Sequence, residues 1–140
     1  MRYEIALQPG RPFVRVVTHG VATLEGFRSF TDELVARRLP STSQPVLVDH
    51  RDLDLSSLQK AEVDAFRRYV SELLSSYRLQ PGAPTPRLAT LVARTLDFGI
   101  VRQWEIPLDG VVPLQHRAFL DLQAAERWLT AGDDESPAEP

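Results

Sequence analysis

Six positions hold most of the chemistry this sequence could perform. Asp49, His50, Arg51, Asp52 and Asp54 place five ionisable groups between residues 49 and 54. Asp52 and Asp54 are a carboxylate pair of the kind general acid–base chemistry uses, although alternate carboxylates in a loop are ordinarily just hydrated. Arg51 and Arg94 could clamp an anion through paired N–H donors, beside free amides at a helix start near Ser56. The same charges have an ordinary account as solvated loop residues and caps. His19, His50 and Asp49 are metal-ligand types, but two separated histidines and one carboxylate fall short of a site with three or four ligands and a fixed outer shell. No metal and no cofactor are therefore expected. Ser56 and Ser57 are candidate phosphoacceptors at a helix entrance, where phosphate is electrostatically tolerated. Their simpler account is capping, and Ser56 with Gln59 fits a capping box. No nucleophile elbow, phosphate-cradling glycine loop or metalloprotease helix motif occurs. An enzyme is not expected, and hydrolysis by the Asp49–Asp54 cluster is the weakest reading.

The elements that must position these residues can be read from patterning. Pro45 precedes the apolar run Val46-Leu47-Val48, typical of a strand buried on both faces of a parallel sheet. The charged residues that follow then read as a loop, and a helix should start at Ser56 or Ser57 and run to about Tyr77. Its apolar stripe is Val63, Phe66, Val70, Leu73, Leu74 and Tyr77. Upstream, residues 3–8 and 13–18 read as a hairpin turning at Pro9-Gly10, with His19-Gly20 ending the second arm. Thr23 is a plausible N-cap with Glu25 in the first turn, and Leu24, Phe27, Phe30, Leu34 and Val35 follow helical spacing. Downstream, residues 87–93 read as a second buried strand. Thr95 or Asp97 can cap a helix carrying Phe98, Ile100, Val101 and Trp104, closed by Pro107, Asp109 and Gly110. A short strand over 116–120 precedes Asp121, the cap of a last helix with Leu122, Ala125, Trp128 and Leu129.

The order β-β-α-β-α-β-α-β-α predicts an α/β fold. Its mixed five-stranded sheet has an N-terminal antiparallel hairpin and then parallel strands joined by right-handed crossovers. The 140 residues suit one domain, here 1–130, followed by a disordered acidic tail over 131–140. Cysteine is absent, which excludes a disulfide framework and a thiolate site. The net charge of −3 argues against non-specific nucleic-acid binding. The first residues lack an apolar signal core, and no apolar run reaches a membrane span of roughly 20 residues, so a cytoplasmic location is expected.

Four segments together resemble the SpoIIAA-like family of the STAS fold. They are the hairpin with Gly20-Val21-Ala22-Thr23; Val46 to Arg51 before the long helix; Phe98 to Glu105; and Arg117 to Asp121 leading into Ala124 to Leu129. The resemblance implies strands in sequential order and a non-enzymatic regulatory or binding role through a protein partner. Some anti-sigma-factor antagonists of this kind are switched by phosphorylation of a serine near the position of Ser56 or Ser57. They usually carry a serine-glycine pair, where this sequence has Ser57-Leu58-Gln59. Other members of the wider family resemble lipid carriers. That makes the alternative reading a carrier or sensor of a small apolar or anionic ligand beneath the segment from Phe98 to Trp104. Binding to a partner or ligand is thus expected at His19, Asp49, His50, Arg51, Arg94, Phe98 and Trp104, with a homodimer left open.

Overall fold

The computed structural model describes residues 1–7, 12–37, 44–75, 86–108 and 115–131. The Pro9-Gly10 turn, Tyr77 and the tail beyond Ala131 lie outside the described residues, as do the side chains of 74, 75 and 103–108. The elements are β1 (Arg2–Leu7), β2 (Val14–Val21), α1 (Leu24–Ala36), β3 (Val46–Asp54), α2 (Lys60–Ser75), β4 (Arg87–Leu91), α3 (Thr95–Leu108), β5 (Gln115–Phe119) and α4 (Leu122–Thr130). One sheet runs in the order β1-β2-β3-β4-β5; β1 and β2 are antiparallel and every later neighbour is parallel. The α/β architecture expected from patterning and the sequential strand order implied by the resemblance are therefore those observed, with β3 at the centre.

Alternation along each strand divides the sheet into two packed faces. Val14, Val16, Val46 and Val48 point to one face, where they meet Phe27, Phe30 and Leu34 of α1, Val63 of α2 and Val101 of α3. Phe27 is 1% exposed, a burial that contributes about 2–3 kcal/mol. Leu47, Ala89 and Leu91 point to the other face and meet Ala125, Trp128 and Leu129 of α4. Helix α1 starts as its sequence dictates: the Thr23 side chain accepts the Gly26 amide at 3.0 Å. Asp121 caps α4 likewise, through the Ala124 amide at 2.9 Å.

Residues 49–54 are not a loop. They continue β3 across a register shift: Val17 pairs with Asp49, but His19 pairs with Asp52, so β3 carries one extra residue there. Such a bulge exchanges the two faces for everything downstream. Leu53 and Leu55 consequently join Val46 and Val48 in the core under α1–α3, where unbroken alternation would have sent them to the opposite side. Strand β2 also outlasts the His19-Gly20 stop expected for it, reaching Val21 with Gly20 at φ +97°. Helix α2 begins at Lys60 rather than at the serines, because Gln59 forms the entrance: its amide donates to Glu62 Oε1 at 3.0 Å. The expected Ser56–Gln59 box is replaced by this Gln59–Glu62 pair. Pro107, expected to close α3, falls inside its Thr95–Leu108 span.

Candidate functional site

Asp49 sits at the bulge, on the α4 side of the sheet, and its carboxylate is engaged by two arginines. Arg15 Nη2 donates to Oδ2 at 2.6 Å. Arg51 donates three times: its amide and Nε to Oδ1 at 3.1 and 3.0 Å, and Nη2 to Oδ2 at 2.9 Å. The backbone bond gives a partner to an amide where the register slips, the kind of group that would otherwise go unpaired. Burial pushes the Asp49 pKa up, but the hydrogen bonds from Arg51 and Arg15 outweigh it and hold the pKa at about 2. Asp49 is thus an ionised structural acceptor.

His50 points the opposite way, into the core. It is 2% exposed and stacks on Phe27, with ring centroids 5.4 Å apart and planes at 12°. Thr18 Oγ1 donates to the Asp49 carbonyl at 3.2 Å and meets His50 Nδ1 at 2.7 Å. The hydroxyl has one proton, so this arrangement makes Nδ1–H its donor. A second threonine–histidine pair, Thr90 Oγ1 with His116 Nε2 at 2.8 Å, lies across β4 and β5 on the same face. Burial lowers the His50 pKa to about 3, against the opposing charge of Asp49 and with the help of His116; burial also lowers His116 to about 4. Both rings are neutral core groups at ordinary pH.

The surface feature nearest the expected site is a shallow cleft of about 380 Å³ at the carboxyl end of β3 and β4. It is lined by Gly20, Arg51, Asp52, Leu53, Asp54, Ser56, Ala93, Arg94 and Asp97. Open α/β sheets place ligands at this end. Both arginines expected to clamp an anion reach it, and each is already paired. Arg51 grips Asp49, while Arg94 places Nε and Nη2 on the two oxygens of buried Asp97, each at 3.0 Å. Asp54 accepts the Ser56 amide at 2.9 Å and Ser56 Oγ at 2.6 Å, and those bonds hold its pKa below the usual carboxylate range. Ser57 Oγ donates to the Ala22 carbonyl at 3.0 Å, tying the turn before α2 to the end of β2. His19 stands at the rim, 3.8 Å from Asp52 and 3.6 Å from Glu4.

The remaining expected residues lie elsewhere. Phe98 packs against the core on the α1–α3 side, with the Arg102 guanidinium 5.9 Å from its ring centre. Trp104 is a residue of α3 whose side chain is outside the description. Among the described residues, no three histidines or carboxylates are placed to share a metal ion, and no helix is long and apolar enough to cross a membrane. Sequence reasoning missed Arg15, Thr18, Thr90, Asp97 and His116. The threonines and His116 sit at alternate, inward strand positions otherwise held by apolar residues, and that periodicity was their only signal.

No protein-family model and no curated protein matches the chain. Among solved structures, it is similar to an uncharacterized protein of the DUF3478 family from Shewanella loihica PV-4, which has a SpoIIAA-like fold. The TM-score is 0.54 at 16% identity, over 91% of this chain and 92% of that one. The SpoIIAA-like fold implied by the sequence is the one observed.

Proposed function

We propose that the protein is a non-enzymatic binding or regulatory module whose partner contacts lie at the carboxyl end of the sheet, around the cleft between β3, the turn into α2 and the start of α3. The observation that carries this reading is that the cleft is already built. Asp54 fixes the turn through Ser56, Ser57 anchors it to Ala22, and Arg94 is locked on Asp97. A preorganised surface loses little entropy on association. The proton-bearing groups behind it suit structure better than catalysis, since Asp49 is held at about 2 and His50 at about 3, both far from a working base near neutrality.

Ser56 and Ser57 belong to the same reading. A phosphate on Ser56 would break its bonds to Asp54 and add charge beside Asp52 and Asp54, opening the turn by repulsion. With α2 beginning at Lys60, the helix terminus stands too far along the chain to offset that charge. Phosphorylation would therefore act by dismantling the partner surface.

Cross-linking in the native cell tests the reading. A photoreactive residue replacing Ala93, an exposed residue of the cleft lining, is expected to give a discrete adduct, whereas one replacing exposed Arg127 on α4 is not. Equal adducts from both positions, or none from Ala93, would overturn it.

A further inference from the structure

We propose that this cleft takes a cationic amphipathic segment of a partner protein, with apolar side chains seated on Val21, Leu96 and Leu120 and lysines or arginines set against Asp52 and Asp54. The proposal rests on the carboxyl end of the sheet being the binding end, and names the chemistry of what docks there. Val21, Leu96 and Leu120 are 51%, 66% and 46% exposed, and they are the large apolar side chains left open among the described residues. Single exposed apolar residues need no explanation, but these three gather at one end. Val21 closes β2 and pairs with Asp54. Leu96 lies in the first turn of α3, between the cleft residues Arg94 and Asp97. Leu120 follows β5 directly, and the Phe119 carbonyl before it accepts the amide of Val92, next to the cleft residue Ala93. Exposed apolar side chains gathered beside a charged cleft offer a partner protein both apolar anchors and a charged edge.

Charge selects the partner. Three arginines, Arg15, Arg51 and Arg94, face four carboxylates, Asp49, Asp52, Asp54 and Asp97. Arg51 and Arg94 are each gripped through two nitrogens by a buried carboxylate, Asp49 and Asp97 respectively, and Arg15 adds a single bond to Asp49. The one surplus negative charge is shared by Asp52, 72% exposed, and Asp54, 50% exposed with Arg94 Nη2 3.9 Å away. Their potential repels phosphates and anionic bilayers and attracts basic side chains.

Two synthetic peptides of about 14 residues, long enough for an apolar helical face, separate the outcomes: one of leucine and lysine, the other of leucine and glutamate at the same positions. Each is titrated into the full ¹⁵N-labelled chain. The lysine peptide is expected to shift the amides of Val21, Asp54, Ser56, Leu96 and Leu120, and to weaken as salt rises through about 150 mM. Leu96→Ser and Leu120→Ser alter exposed side chains that the fold does not need, and each is expected to weaken binding about fivefold or more. Asp52→Asn is expected to weaken binding and to flatten its salt dependence. Binding of both peptides alike, shifts confined to α4, no shift at millimolar peptide, or unchanged affinity in the variants would overturn the proposal. If the glutamate peptide moves the same amides, or neither peptide binds while cross-links still form at Ala93, the charge assignment fails and the binding end stands. Loss of the Ala93 cross-link removes both.

Discussion

Asp49 accepts three hydrogen bonds from Arg51 and one from Arg15, so removing it strands two guanidiniums and an amide together. Both arginine side chains are partly exposed, at 27% and 39%, and water takes up part of that loss. Asp49→Ala is therefore expected to cost about 2 kcal/mol in urea unfolding rather than the larger figure for a fully buried pair. Its native pKa, about 2, lies below the ordinary 3.8. The carboxylate's contribution is accordingly complete above pH 4 and is lost as pH falls towards 2, and Asp49→Asn should flatten the stability curve in that acid window alone. Gly20 makes a different demand. At φ +97°, an added Cβ would meet Met1 Cα at 3.6 Å, an ordinary contact, so the cost of Gly20→Ala is one of backbone conformation, about 1–2 kcal/mol. Gly20→Asn should cost less, because asparagine enters positive φ more readily. Equal thermal shifts for the two variants would show that space, not dihedral, decides.

Helix α4 depends on a residue from another element. Arg87, at the start of β4 and 7% exposed, donates Nη1 to the Trp128 carbonyl at 2.6 Å and to the Ala131 carbonyl at 3.2 Å, while its guanidinium lies 5.2 Å from the Trp128 ring centre. It thereby fills carbonyls that the end of a helix cannot satisfy internally. Arg87→Met keeps the stem and loses these bonds. It should cost about 2–3 kcal/mol and speed amide exchange across α4, while α2 keeps its protection; uniform loss of protection would instead mark a global effect. Other elements show why sequence reading reached some of the structure and stopped. Val46 to Val48 declared a central strand because neighbours on both sides force an unbroken apolar run. The caps at Thr23 and Asp121 were legible because capping is local. The second half of β3 was not. Its alternation restarts out of phase after the bulge, so the charged residues from Asp49 read as a loop and the start of α2 reads as Ser56 or Ser57 rather than Lys60. The cleft was legible as a place, through the carboxyl ends of β3 and β4, but not as a charge balance. Nothing in the spacing of Arg51 and Arg94 shows that Asp49 and Asp97 already hold them.

At the scale of the whole molecule, the sheet separates a large helical layer, α1 to α3, from the single helix α4, and both buried histidines lie under the large layer. His50 is covered by Phe27 and Phe30 of α1. The ionised group that favours its protonation is Asp49, outweighed by burial, and His116 on the same face opposes it. Among the described residues, the His116 ring bonds to Thr90 and its Nδ1 meets no hydrogen-bond partner. Protonating either ring inside this layer thus adds a charge with little to answer it. An unfolded histidine takes its proton near pH 6.5, whereas these two hold out to about 3 and 4. Below pH 6.5 the unfolded chain therefore binds more protons than the native one, and stability falls with pH from there until the native values are reached. Each ring contributes up to about 1.4 kcal/mol per pH unit, so the pair should remove roughly 4 kcal/mol between pH 7 and 5. Asp49 cannot produce this loss, because its own window opens only below pH 4. Urea midpoints measured across that range are expected to fall steeply for the native chain and about half as steeply for His50→Gln or His116→Gln, although each variant begins less stable at pH 7. An unaltered slope in both variants would place the acid sensitivity outside the layer that α1, α2 and α3 close over the sheet.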